Sequence, residues 1–62
     1  MVDEIVIREQ LNVDNQIAIH GCIYNCKITR IIKAFNIENV NVEITFNDGS
    51  LTIENSKNLY IL

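Results

Sequence analysis

Residues 25–36 read NCKITRIIKAFN, and the reading of this stretch decides the fold. Ile28, Ile31, Ile32 and Phe35 have the i, i+3, i+4, i+7 spacing of an amphipathic helix. At about 100° per residue they fall within one sector of about 100°. Lys27, Arg30, Lys33 and Ala34 take the other side. Asn25 suits an N-cap, and Asn36 suits the left-handed residue that closes a helix. The spacing predicts a helix from Asn25 to Asn36.

The flanking chain alternates, as strands do. In EIVIR, residues 4–8, Ile5 and Ile7 face one way and Glu4, Val6 and Arg8 the other. Ile17 and Ile19 alternate with Gln16, Ala18 and His20. Asn12–Asn15 (NVDN) is rich in turn formers, so an N-terminal hairpin is expected around it. Gly21 then ends the second strand. Downstream, Val40, Val42, Ile44 and Phe46 alternate with Asn41, Glu43 and Thr45. Asp48-Gly49 has the composition of a two-residue hairpin turn. That turn pairs Phe46 with Leu51, Thr45 with Thr52, Ile44 with Ile53 and Glu43 with Glu54. NLYIL, residues 58–62, is apolar on both faces and leaves room for a fifth strand.

The expected fold class is α+β: a small antiparallel β-sheet with one amphipathic helix packed across it, in the order β-β-α-β-β. The helix would bury its seam on Ile5, Ile7, Ile17, Ile19, Ile44, Phe46, Leu51 and Ile53. A rival reading makes residues 23–32 a strand with Tyr24, Cys26 and Ile28 inward, and the chain a small SH3-like or Tudor-like β-barrel. It ranks second because the alternation breaks at Ile31-Ile32. Rungs of a parallel β-helix, suggested by IEN at 37–39 and 53–55, rank last.

Sixty-two residues make a single domain, 1–62, with a thin stability margin. Apolar residues are 48% of the chain, which excludes the disordered class. No run approaches the roughly 20 apolar residues of a membrane helix. The start, Met1-Val2-Asp3-Glu4, is acidic where a signal peptide is basic. A cytoplasmic protein with reduced thiols is expected. The net charge of −3 disfavours nucleic acid as a partner. Apolar residues beyond one sheet face (Val2, Val6, Ile23, Tyr24, Ile37 and the C-terminal strand) favour a homo-oligomer.

Residues 20–26, HGCIYNC, place three metal-ligand types close together in sequence. His20, Cys22 and Cys26 would suit zinc or copper, and Cys26 at a helix start would gain thiolate character. From about residue 17 to 54 the segment resembles the heavy-metal-associated domain: strand, glycine-cysteine loop, helix opened by the second cysteine, two strands. The resemblance implies copper chelation by Cys22 and Cys26. Three residues separate them here, where the family has two. Their plainer reading is a buried small residue and a turn residue. Glu43 and Glu54, facing each other on the expected hairpin, are candidates for acid–base work, against a solvated face. No nucleophile has an identifiable base, so no enzymatic activity and no cofactor are expected. Lys27, Arg30 and Lys33 hold three of the five basic residues and would form a stripe for an acidic partner surface. The expected function is a small non-enzymatic protein-binding module: a regulator, adaptor or inhibitor of phage or mobile-element type that occludes a partner protein. The alternative is a thiol-based metal carrier or sensor.

Overall fold

The computed structural model describes residues 2–33 and 39–62. Among them the order is α1 (Glu4–Glu9), β1 (Asn15–Ile19), β2 (Cys22–Ile32), β3 (Asn41–Phe46), β4 (Leu51–Asn55), a 3₁₀ turn (Ser56–Asn58) and β5 (Leu59–Ile61). The strands form one antiparallel sheet in the order β4-β3-β2-β1-β5. The fifth strand expected at the C-terminal segment is present.

The helix expected at Asn25–Asn36 is absent over its described part, because Cys22–Ile32 is a single strand. Ala34, Phe35 and Asn36, read as the end of that helix, and Ile37, counted among the surplus apolar residues, lie outside the described residues. The physical reason for the misreading is a β-bulge. The register of β2 against β3 shifts between Ile28 and Arg30, so Ile28 pairs with Ile44 and Ile31 with Val42. One inserted residue, Thr29, places two residues three apart on the same face. That spacing imitates a helical period. β-Branched residues at 23, 28, 29, 31 and 32 fit the pleated strand better than a helix. The rival reading of 23–32 as a strand agrees with β2 and with buried Cys26 and Ile28, whereas Tyr24 is exposed rather than inward.

β2 works as two half-strands. Residues 22–26 pair with β1, residues 26–32 pair with β3, and Cys26 belongs to both. The sheet thus has two three-stranded halves, β5-β1-β2 and β2-β3-β4, that meet at the bulged part of β2. Ile17, Ile19 and Leu59 from one half and Ile28, Val42 and Ile44 from the other form the buried core.

The N-terminal strand expected at residues 4–8 is instead α1, and there is no hairpin about residues 12–15. Asp3 caps α1 by accepting the Val6 N–H at 3.1 Å, and Glu4 pairs with Arg8 one turn on at 2.7 Å. Only Ile7 of its residues is buried, so the apparent alternation of Ile5 and Ile7 has no structural counterpart. The first hairpin is β1–β2. Its two-residue turn is His20-Gly21, with φ of +48° and +83°. Positive φ at both positions is what a type I′ turn requires.

The second hairpin also differs from expectation. Gly49 N–H donates to Phe46 O, and Phe46 N–H donates to Ser50 O, with Gly49 at φ +87°. The connection is a three-residue loop closed by a left-handed glycine. Thr45 pairs with Leu51, Ile44 with Thr52, Glu43 with Ile53 and Val42 with Glu54. This is one residue away from the expected register, and such a slip reverses every side chain of the strand. Leu51 and Ile53, expected in the core, are 60% and 52% exposed.

Buried Ser56 joins three segments. Its Oγ accepts the Val40 N–H, its N–H donates to Val40 O, and its carbonyl accepts the Val2 N–H. Residues 55–57 are thus a tightly bonded turn.

Replacing Ile44 by Val should lower the unfolding free energy by about 0.5–1.5 kcal/mol. Leu51→Ala should lower it by less than about 0.5 kcal/mol. Urea denaturation measures both. A larger loss at Leu51 than at Ile44 would restore the two-residue turn register.

Candidate functional site

The sequence-level metal candidates do not converge. Cys22 and Cys26 are four residues apart on an extended strand, a separation of about 13 Å. Cys22 is exposed and Cys26 is buried where the two halves of the sheet meet. Burial pushes the Cys26 thiol pKa up, opposite to the thiolate character that a helix start would give. His20 turns elsewhere: its Nε2 lies 2.8 Å from Glu54 Oε1, while its N–H donates to Asn58 O at 3.1 Å. His20 thereby links the β1–β2 turn to β4 and to the start of β5. Among the described residues, no group of three or more His, Cys, Asp and Glu side chains is arranged to hold a metal ion.

The basic stripe is not a helix face, since Lys27 and Arg30 lie on β2 and Lys33 follows its end. Arg30 Nη2 lies 3.5 Å from Glu43 Oε2, and Lys33 Nζ lies 3.4 Å from Glu4 Oε1. Two of the three stripe cations therefore have acidic neighbours on this chain. Glu43 and Glu54 do not face each other, because they pair with Ile53 and Val42 respectively. Glu43 instead accepts a 2.7 Å hydrogen bond from Thr29 Oγ1, whose oxygen also lies 2.9 Å from Thr45 Oγ1.

Two surface features stand out. The first is an apolar row across three strands. Ile23 on β2 pairs with Ala18 on β1, and Ala18 pairs with Tyr60 on β5. Directly opposed residues share a face, and this face is the outer one. Ile23 and Tyr60 are 61% and 63% exposed on either side of the small Ala18. The row ends at an edge, since β5 has β1 on one side only in the sheet order.

The second is a groove where the halves of the sheet meet. Phe46 pairs with Cys26, and Tyr24 is two residues before Cys26 on the same strand. Their rings meet edge to face with centroids 5.4 Å apart. Asn25, Asn47 and Asp48 line the hollow beside these rings. Asn25 and Asn47 also line an adjoining hollow that runs on to Asp14 and Gln16. Asp48 Oδ1 accepts both the Ser50 N–H at 2.9 Å and the Ser50 hydroxyl at 2.6 Å. These bonds hold the Asp48 carboxyl below its ordinary value of 3.8. Sequence reasoning missed this groove. Tyr24 and Phe46 are 22 positions apart in sequence, and only the pairing of Phe46 with Cys26 brings them together.

No protein-family model matches this chain, and no curated protein or solved structure matches it significantly. No helix among the described residues is long and apolar enough to cross a membrane.

Two measurements check this geometry. In the folded protein, one thiol should react rapidly with a water-soluble disulfide reagent, and Cys22→Ser should abolish that fast phase. Fast reaction of both thiols would show that Cys26 is not buried. For Asp48, a carboxyl pKa depressed by folding contributes stability above 3.8 that is lost as pH falls through the folded value. Urea midpoints measured from about pH 6 down to about pH 2 should therefore fall less steeply for Asp48→Asn than for the parent chain. Equal slopes would show that the Ser50 bonds do not hold the carboxylate.

Proposed function

We propose that the chain is a small non-enzymatic protein-binding module. It acts by covering a surface of a partner protein, and it pairs with a second copy of itself through the β5 edge. The apolar row Ile23–Ala18–Tyr60, ending at that edge, carries this reading.

The edge has the geometry for self-pairing. Asn58 O and Leu62 N–H are bonded to β1, through His20 and Gln16. Backbone groups alternate sides along a strand, so Leu59 O and the N–H and C=O of Ile61 face away from β1. The Leu59 N–H is taken by Ser56 O. An antiparallel β5–β5′ contact centred on Tyr60 would let each Ile61 N–H donate to the other copy's Leu59 O. It would also make one row of Ile23, Ala18, Tyr60 and their symmetry mates. Such a contact is isologous and closes as a two-fold dimer. Addition of a strand at an exposed edge is also a common way for one protein to engage another. The same edge would thus serve a partner's strand, with self-association and partner binding in competition.

Native mass spectrometry over a range of protein concentrations tests this. A concentration-dependent dimer is expected. Tyr60→Lys should shift it to monomer while the circular dichroism spectrum stays unchanged. A parent chain that stays monomeric at the highest concentration, or a dimer indifferent to Tyr60→Lys, would overturn the reading.

A further inference from the structure

We infer that the groove beside Tyr24 and Phe46 is a binding site for an arginine side chain carried by an extended segment of a partner protein. The aromatic part of this site lies away from the β5 edge, although the adjoining hollow reaches Leu62 next to β5, and the inference goes beyond the self-pairing reading.

Three observations converge on that ligand. The first is the pair of aromatic rings, with Tyr24 43% exposed although it packs on Phe46 at 5.4 Å. A cation over an aromatic face is attracted by the ring quadrupole, and a guanidinium can stack on the ring as a plane. The second is charge. Of the residues lining the two joined hollows, the charged side chains are Asp14 and Asp48, with no lysine, arginine or histidine. Among the described residues neither aspartate has an ion-pair partner, whereas Glu4, Glu43 and Glu54 each have a basic neighbour. The groove is therefore where uncompensated negative charge meets exposed aromatic surface. The third is the polar track. The side-chain amides of Asn25, Asn47 and Gln16 line the path between the rings and Asp14. Amides offer both donors and acceptors to the backbone of an extended peptide.

The same features argue against other occupants. Phosphate-bearing ligands would meet two carboxylates and no cation. A purely apolar ligand would leave the amide track unpaired. An arginine satisfies the arrangement in one side chain: stem and plane on the rings, N–H donors toward Asp48 and the amide oxygens.

The test uses the isotope-labelled protein and a blocked pentapeptide of glycines with one central arginine. In nitrogen–proton correlation spectra, saturable shifts are expected at the amides of Tyr24, Asn25, Phe46, Asn47 and Asp48. The citrulline peptide, neutral but of the same shape, should bind at least about tenfold more weakly. Asp14→Asn and Asp48→Asn should each weaken arginine-peptide binding by about threefold or more, with the rest of the spectrum unchanged. Asparagine at 48 keeps the turn chemistry, so loss of binding there would not reflect loss of the hairpin. Absence of shifts, equal affinity for the citrulline peptide, or shifts confined to the β5 edge would overturn the assignment. Equal affinity for the same pentapeptide with lysine in place of arginine would overturn the choice of guanidinium. Tyr60→Lys should leave peptide binding unchanged, which separates failure of this site from failure of the β5 contact.

Discussion

At Thr29, β2 carries one residue more than β3 matches, and next to it the carbonyl of Ile28 accepts the Asn12 N–H at 2.7 Å. β1 begins only at Asn15, so the segment leaving α1 meets β2 just before the ladder starts. Asn12 reaches this position with φ of +62°, a conformation that asparagine tolerates better than most residues. A bulge bends its strand and increases the local twist. The bend lets one long strand serve two half-sheets, and the core is the space between them. Cys26 sits at the shared position and is 1% exposed. Its role in this fold is that of a small buried residue.

The bulge also governs how much of the fold was legible. Strands with clean alternation were readable in place and facing, as β1 and β3 show, whereas β4 was readable in place but not in register or facing. Three features were hidden for physical reasons. The insertion at Thr29 replaced alternation by a three-residue spacing between Ile28 and Ile31, which a periodicity argument assigns to a helix. The His20-Gly21 turn uses histidine at a left-handed position where asparagine or aspartate is the usual signal. In α1, Ile5 and Ile7 alternate only because one of them is exposed on a single short turn of helix. The cap at Asp3 and the Glu4–Arg8 pair are signals of that helix which the alternation reading does not use.

Turn chemistry had an instructive partial success. Asp48-Gly49 does form the hairpin connection, and Gly49 takes the positive φ that the reading required. The loop holds one residue more than assumed, because Asn47 joins it. Composition locates a turn, yet the choice between a two- and a three-residue loop is set by how β4 packs. With Thr52 and Glu54 turned toward the inner side, Glu54 meets His20, and this contact ties the β4 half to the β1–β2 turn. In exchange Leu51 and Ile53 lie outside. Apolar pattern alone could not anticipate a sheet that puts its threonine and glutamate inward at an edge strand.

The candidate site was illegible for a related reason, since its residues acquire meaning only through pairing. The sequence drew attention to what lies close along the chain: His20, Cys22 and Cys26, or Lys27, Arg30 and Lys33. Extended backbone separates near neighbours by about 3.3 Å per residue, so proximity in sequence becomes distance in space. Pairing does the reverse and brings Phe46 to Cys26 and Tyr24. It also redistributes charge. Arg8 and Lys33 lie beside Glu4, Arg30 lies beside Glu43, and His20 lies beside Glu54, all away from the groove. The net charge of −3 is a property of the whole chain, but its unbalanced part includes Asp14 and Asp48 at the aromatic hollow. A basic stripe would have pointed to an acidic partner. Two of its three members, Arg30 and Lys33, have acidic neighbours on this chain, whereas the carboxylates of Asp14 and Asp48 at the hollow have none among the described residues.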